Sequence, residues 1–461
     1  MELIKKSGIT RNRRKPHGPA KNISSAIKKN LSPRMLKILR LCGALADQKG
    51  LKAYAVGGFA RDILLNVSSF DVDIVLEREC LVFAKALADK LGGSLVVYKR
   101  FGTATVVMDW CPKAKRGPVN RKERFKIDIA TARVESYEHP AALPKVVFSS
   151  IKQDLHRRDF TINAMAVSLN KGSFGRLIDF FNGQRDLRQK KVRVLHDLSF
   201  IEDPTRIFRA VRFEQRYNFK IEPHTEELIK TAVRLDMFGR TQKQRLRNEL
   251  ILILSEPEPV KALTRMHELH ELRFIHPRLR LTKGMLRLFG DIGECCRWYE
   301  SSFLKKRPID RWLIFFFAMV DGLDLAQVKA LCEKFVFTKG DEKRIISCKG
   351  KADKVIRALK AKRELAPSRI YRHLEPLAYE VILFILAKAK SERVRMRVSL
   401  FLAKYNGVKP SISGKDLKGL GIAPGPRYGK ILDRVLYEKL DGRLLNKQDE
   451  MRLARQLSGK A

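Results

Sequence analysis

The stretch that most constrains this chain is "AYAVGGFARDILLNVSSFDVDIVL", residues 53–76. A short apolar run meets two glycines, Gly57 and Gly58, and continues as an amphipathic segment. A second apolar run then carries Asp71 and Asp73 on either side of one valine. The pattern predicts strand, tight turn, helix, strand. A strand that feeds a helix through glycines leaves free backbone N–H groups at the helix N-terminus, where a phosphate chain can approach closely. Arg61 falls in the first helical turn, where its fork can pair with phosphate oxygens. Side chains two apart on a strand share a face, so Asp71 and Asp73 point the same way. Alone, the glycines would read as a plain turn and the acids as a solvated strand end. Together they place two carboxylates beside a phosphate cradle. That suits Mg²⁺, which takes few protein carboxylates and completes its shell with water and phosphate oxygens. Two such ions can activate an attacking oxygen and stabilise a leaving phosphate.

Composition narrows the partner. The chain has 461 residues, 94 Lys and Arg against 50 Asp and Glu, and a net charge of +44. That balance calls for a polyanion, and nucleic acid is the leading reading over an acidic membrane surface. No lipidation signal or isolated amphipathic anchor favours a membrane. The longest apolar run, "WLIFFFAMV" at 312–320, is too short to span a bilayer and reads as a core helix. The start, "MELIKKSGIT", has no apolar core of the kind a secretory signal needs. The seven cysteines (42, 80, 111, 295, 296, 332 and 348) are scattered, with no C-x-x-C pair, and fit reduced thiols of a cytoplasmic protein.

The chain is long enough for several cores. Residues 1–30 carry nine Lys and Arg and one acid, which reads as a basic flexible arm over 1–33. An α/β unit follows, with strands at "GSLVVY", "TATVVMDW" and "RFKIDIATARV" and a basic hairpin tip at "CPKAKRGPVNRKE". From about residue 155 the pattern is helical, with "LIDFF" and "KVRVL" as exceptions. The fold class expected is an elongated multi-domain chain, an α/β N-terminal head followed by an all-α remainder.

Two further motifs bear on chemistry. In "DLHRRDFTINAMAV", 154–167, Arg157, Arg158 and Asp159 stand where an apolar helix is predicted to begin. Cations there would oppose the helix dipole and call for an anion. In "FIEDPTRIFRAVRFEQR", 200–216, Glu202 and Asp203 precede a proline-started helix, and Arg206, Arg209 and Arg212 recur every three residues along one face. Such a stripe repels itself unless anions or acids answer it.

In order, "GGFARD", "DVDIV", "RRDFTINAMA", "DLRQKKVRVL" and "IEDPTRIFRAVRF" resemble the successive motifs of the class II RNA nucleotidyltransferases: tRNA CCA-adding, CC-adding and A-adding enzymes and bacterial poly(A) polymerases. The match covers roughly residues 50–225, and "ISGKDLKGLGIAPGPRYGKIL", 412–432, resembles the tail of bacterial members. The resemblance implies a nucleotidyltransferase head with a palm-like mixed sheet at 34–170, a base-reading neck at 171–255, a helical body at 256–405 and an RNA-binding tail at 406–461. It implies that Asp71 and Asp73 hold two Mg²⁺ ions, and that Gly57, Gly58, Arg61 and Arg158 bind the nucleotide, with Arg157 beside them. Glu202, Asp203 and Arg206 match the family's amino-acid template for the incoming base, with Arg209 and Arg212 supporting it. A carboxylate accepts from an exocyclic amine and a guanidinium donates to ring N or O, so one rigid pair can take both A and C. A supporting or strand-surface place for Asp128 is favoured over direct participation. In the tail, Lys415, Lys418, Arg427 and Lys430 read as RNA-backbone contacts, since glycine-rich turns expose N–H groups that bind phosphate.

The implied substrate is ATP, with CTP also open, and the implied partner is RNA, foremost the tRNA 3′ end, with no protein partner. CC-adding enzymes are expected to lack part of the loop that "TARVESYEHPAALPKVVFSSIKQ", 131–153, keeps here, which favours A addition. A poly(A) polymerase remains the alternative. A non-catalytic RNA-binding protein is the alternative of a different class.

Overall fold

A computed structural model of the chain describes residues 21–67, 71–98, 102–110, 123–136, 145–302 and 307–458. The expected basic hairpin tip and most of the basic arm lie outside these residues, as does the centre of the loop at 131–153. The chain divides into two compact units, 1–241 and 242–461.

The first unit is built on a seven-stranded sheet: β1 (Ala53–Val56), β2 (Val72–Leu76), β3 (Ser94–Tyr98), β4 (Thr103–Trp110), β5 (Glu123–Thr131), β8 (Ala166–Ser168) and β9 (Leu177–Ile178), in the order β3-β4-β5-β2-β1-β8-β9. Only β2 and β5 pair in parallel; the other neighbours are antiparallel. A separate hairpin joins β6 (Arg133–Ser136) to β7 (Lys145–Phe148). Helices α1 (Ser24–Asn30), α2 (Pro33–Gln48), α3 (Gly58–Leu65), α4 (Cys80–Leu91) and α5 (Ile151–His156) surround the sheet. Alternation sets its two faces. Ala55, Ile74 and Ile129 are buried on one. On the other, Tyr54, Val56, Val75 and Ala132 form a cluster with Ile151 and Leu155 of α5. That second face also carries Asp73 and Asp128.

Two expectations change and one holds. The arm expected over 1–33 is folded from residue 21 onward, because Ile23, Ile27 and Leu31 form an i, i+4, i+8 stripe that is fully buried. The helix expected from residue 157 does not form. Phe160 is extended, Thr161–Asn163 make one 3₁₀ turn, and Ala166–Ser168 become β8, paired with β1. The two strand-like exceptions, "LIDFF" and "KVRVL", are real: the first supplies β9, and the second supplies β10 (Lys191–Val192), which pairs in parallel with β11 (Lys220–Ile221). Around that pair lie α6 (Gly183–Arg188), α7 (Ser199–Glu202), α8 (Thr205–Arg216), α9 (Pro223–Arg234) and α10 (Met237–Arg240).

The second unit is helical throughout its described residues, from α11 (Lys243–Leu254) to the last helix, Lys447–Ser458. "WLIFFFAMV" lies in the helix Arg311–Val320, where every residue from Leu313 to Val320 is buried. Near the end, Gly414–Gly419 and Pro426–Leu440 form a helical hairpin sealed by Leu417, Ile422, Ile431 and Val435. Gly421 turns it at φ 71°, a left-handed value that favours glycine. The six described cysteines are all free and buried.

Candidate active site

The site begins at the end of β1. Gly57 has φ 71° and ψ −132°, a conformation close to glycine-only. A Cβ there would fall 3.0 Å from Asp73 Oδ2 and 3.3 Å from Arg158 Nη1. Glycine is therefore what lets the turn lie against an acid and an arginine at once. Gly58 opens α3, and a Cβ on it would meet Arg61 Nη2 at 2.7 Å.

Asp73 sits on β2 opposite Val56 on one side and Asp128 of β5 on the other. Parallel pairing in register puts Asp128 on the same face, so three acids gather there, with Asp71 just before the strand. Asp71 and Asp128 are exposed; Asp73 is exposed as a residue, but its carboxyl packs against Gly57 beside Arg158 and loses part of its hydration there. Asp128 accepts from Thr105 Oγ1 at 2.6 Å. The Asp73 carboxyl is pushed above its ordinary value: lost hydration is the main cause, Arg158 opposes it, and Asp128 and Asp71 add to it. Like charges crowded on one face are what an added cation would relieve. Among the described residues, no group of three or more His, Cys, Asp or Glu is arranged to hold a metal ion, so the candidate donors are the two carboxylates Asp71 and Asp73. The donor set fits an ion that draws the rest of its shell from water and phosphate.

The two arginines of "HRRD" lie at the C-terminal end of α5, not at a helix start. The helix dipole favours cations there, so the expected conflict with the dipole is absent. Asp154, fully buried one turn earlier, accepts from Arg157 Nη2 at 2.7 Å and from Arg158 Nη2 at 3.0 Å. Burial alone would raise the Asp154 carboxyl, but Arg158 and Arg157 together pull it below its ordinary value. Asp154 thereby aims Arg158 at Gly57 and Asp73. Arg158 Nε is buried with no hydrogen-bond partner among the described residues. The i, i+3, i+4 spacing of Asp154, Arg157 and Arg158 was the available signal for this role.

Arg61 differs from its expectation. Its guanidinium is buried, ion-paired with Asp62 at 2.8 Å, bonded to Asn163 Oδ1 and stacked 4.8 Å over the Tyr217 ring. Protein partners thus take up its whole fork, Nε and Nη2 donating to Asp62 and Nη1 to Asn163, with Nη2 packed beside Gly58. Asn163 also donates to Asp159, which in turn receives Nε and Nη2 of Arg209 at 2.8 and 2.7 Å. The network runs from Tyr217 through Asp62, Arg61, Asn163 and Asp159 to Arg209. Burial tends to raise Asp159, but Arg209, Asn163 and Arg206 hold its carboxyl at about 2.

On α8 the arginines are answered rather than bare. Arg206 is buried; its Nη1 donates to Ser199 Oγ at 2.7 Å, its Nη2 donates to the Arg157 carbonyl at 2.8 Å, and its Nε lies 3.9 Å from Asp203 Oδ2. Asp203 Oδ1 accepts from the Thr205 N–H and hydroxyl at 3.1 and 2.6 Å. Arg212 is buried 5.1 Å from the Phe213 ring. Glu202 lies 3.5 Å from His196 Nε2. Ser199 and Thr205 were not apparent from sequence, since lone hydroxyls beside a motif carry no distinguishing pattern.

In the second unit Lys415 and Lys418 are exposed on the helix Gly414–Gly419 and Lys430 on the helix Pro426–Leu440, whereas Arg427 Nη2 donates to the Leu457 and Ser458 carbonyls at 3.3 and 3.0 Å. Arg427 thus fastens the last helix. A recess of about 1420 Å³ lined by Tyr54, Glu77, Arg176, Asp179 and Arg185 opens at the opposite end of β1 and β2 from Asp73. Its acids are engaged, Glu77 by the Ile151 N–H and Asp179 by the Gly183 N–H.

The chain resembles known proteins along most of its length. Residues 53–193 match the family model described as the poly A polymerase head domain, and residues 218–281 match the probable RNA and SrmB-binding site of polymerase A. An A-adding tRNA nucleotidyltransferase of Geobacter sulfurreducens is 41% identical over 92% of this chain, which spans 47% of that protein, about half its length. One of Halalkalibacterium halodurans is 30% identical over 94% of this chain and 95% of its own. The Thermotoga maritima CCA-adding enzyme, solved in complex with tRNA, superposes with a TM-score of 0.69 at 33% identity, over 95% of this chain and 99% of its own. The chain belongs to the class II tRNA nucleotidyltransferase and poly(A) polymerase family.

Proposed function

We propose that this chain is a template-independent RNA 3′-nucleotidyltransferase that adds AMP to the 3′ end of tRNA, either as the terminal A alone or within full CCA addition. The observation that carries the reading is the meeting of Asp73, Gly57 and Arg158: an acid on a crowded acidic face, a backbone turn that admits phosphate, and a buried guanidinium edge aimed at both. Arg158 and the N–H groups at the start of α3 bind the triphosphate. Asp71 and Asp73 would hold divalent magnesium, with Asp128 beside them. Bound magnesium would make the primer hydroxyl more acidic and neutralise charge on the departing pyrophosphate. The RNA 3′-hydroxyl attacks the α-phosphate in line and pyrophosphate leaves.

The base is read by Glu202, Asp203 and Arg206 without a nucleic-acid template. Thr205 orients Asp203, and Ser199 with the Arg157 carbonyl orients Arg206, so donor and acceptor stand ready before the nucleotide arrives. On the Watson–Crick edge A and C both present an amine next to a ring acceptor nitrogen, whereas G and U present a carbonyl next to a ring N–H. The residues at 34–170 act as the head, 171–255 as the neck, 256–405 as the body and 406–461 as the tail. Lys415, Lys418 and Lys430 meet the RNA backbone. With tRNA as substrate, the place of action proposed is the cytoplasm.

The test is product length. Purified protein receives tRNA ending in C or C-C and each nucleoside triphosphate separately. One AMP added to the C-C end is the expected product. A long tail would make the chain a poly(A) polymerase, and no incorporation from any triphosphate would reduce it to an RNA-binding protein.

A further inference from the structure

Behind the base-reading acids stand two histidines stacked ring on ring. His156 ends α5, and His196 lies in the segment between β10 and α7. Their centroids are 5.3 Å apart with planes at 24°, and Phe181 flanks His156 at 5.5 Å. His196 Nε2 faces the Glu202 carboxylate at 3.5 Å.

The charged groups around this pair come from each neighbouring element: Lys152 from α5, Arg206 from α8, Glu202 from α7, and Asp197 next in the chain. For His196, burial is the main influence, Arg206 and His156 add to it, Asp197 opposes it, and the ring is held down at about 4. His156 is lowered by burial, then by Arg206 and Lys152. Both rings are therefore neutral at neutral pH. A neutral imidazole facing a carboxylate adopts the tautomer that donates to it. Such a donor fixes one carboxylate oxygen without cancelling its charge, and leaves the other oxygen free to accept. A lysine or arginine in the same place would compete with the incoming amine for the whole carboxylate.

Asp203 has Thr205 as its orienting partner and Arg206 has Ser199. His196 completes the set for Glu202, and its ring stack on His156 ties that acid to the end of α5, just before Arg157 and Arg158.

We propose that His196, braced by His156, is a positioning residue for base recognition: its Nε2–H holds Glu202 in register with the phosphate-binding arginines at the end of α5. The proposal rests on the reading of Glu202, Asp203 and Arg206 as the base-reading group.

The test is equilibrium binding of ATP and of GTP to the full chain, which needs no turnover, together with kcat and KM for AMP addition. His196→Phe keeps the ring and loses the donor. Its preference for ATP over GTP should fall about tenfold, mostly through KM. His196→Gln places an amide donor near the Nε2 position and should stay within about threefold of the parent, whereas His196→Asn places its amide near Nδ1, short of Glu202, and should lose the preference. The Gln–Asn pair carries the comparison if the Phe variant fails to fold. The parent's preference should be flat from pH 6 to 8. Full preference in His196→Phe or His196→Asn, or equal losses in Gln and Asn, overturns the proposal. Equal binding of ATP and GTP by the parent instead removes the base-reading assignment, and the proposal with it.

Discussion

Asp73 and Asp159 carry the same side chain at two ends of one site, and their surroundings push them in opposite directions. Asp73 is exposed on β2 with Asp128 in register beside it and Asp71 two residues before, and its carboxyl is raised. Asp159 is buried, receives two hydrogen bonds from Arg209 and one from Asn163, and is held at about 2. One end is a group of crowded acids whose mutual repulsion a cation would relieve. The other is an arginine network whose charges are already answered. The first can change its state when a ligand arrives; the second is a scaffold that the ligand must fit. Under the proposed function chemistry belongs to the first end and selection to the second, so the two can be altered independently.

That contrast can be broken by substitution. The largest effect should come from Asp73→Ala and Asp71→Ala, each lowering nucleotide incorporation by roughly 10³-fold or more while RNA binding, measured by gel shift, stays within about twofold. Activity above a tenth of the parent in either variant would sink the metal assignment. Stability should show the reverse order. Asp159→Ala strands the Arg209 charge against a buried network and should cost roughly 3 kcal/mol by denaturant titration. Asp73→Ala, which relieves like charges, should cost less than about 0.5 kcal/mol. Equal costs would erase the distinction between the two acids.

The pH dependence follows the same division. Asp159 is depressed to about 2 from an ordinary 3.8, so its pairing stabilises the fold fully at neutral pH, and that share is lost as pH falls from about 4 toward 2. Asp73 is raised, so the folded chain takes up its proton before the unfolded chain does, and falling pH favours the fold at that residue. Denaturant midpoints of Asp159→Asn and Asp73→Asn should therefore diverge from the parent with opposite slopes below about pH 5. A smaller effect is expected for Arg206→Ala, a loss of roughly 10- to 100-fold in ATP-over-GTP selectivity. The smallest belongs to Ser199→Ala, which removes one 2.7 Å bond from Arg206 and should reduce selectivity only about threefold.

Much of the unfinished end was legible in the sequence. The strand, glycine pair and helix, and the shared face of Asp71 and Asp73, follow from local periodicity alone. The place of Asp128 did not, because its approach to Asp73 depends on the parallel pairing of β2 with β5, a contact between residues 55 positions apart that no local pattern encodes. At the finished end the residues were visible but their partners were not. "DFTINAMAV" has the apolar content of a helix, yet β1 has an open edge there, and β8 pairing with it overrides the local preference. That displacement moves Arg157 and Arg158 to the end of α5, brings Asn163 to Arg61 and sets Asp159 against Arg209. Arg61, read as an open phosphate ligand, is instead enclosed by Asp62, Asn163 and Tyr217, neighbours that only the tertiary fold assembles.

The central claim is that charge neutralisation and base selection belong to separate parts of the site. Equilibrium binding of ATP and GTP, each measured with magnesium and with the metal chelated, tests it directly. The account predicts that chelation weakens both nucleotides by the same factor, leaving the ATP-to-GTP ratio unchanged, while Arg206→Ala collapses the ratio and leaves the magnesium dependence intact. A ratio that disappears when magnesium is removed from the parent chain would contradict it.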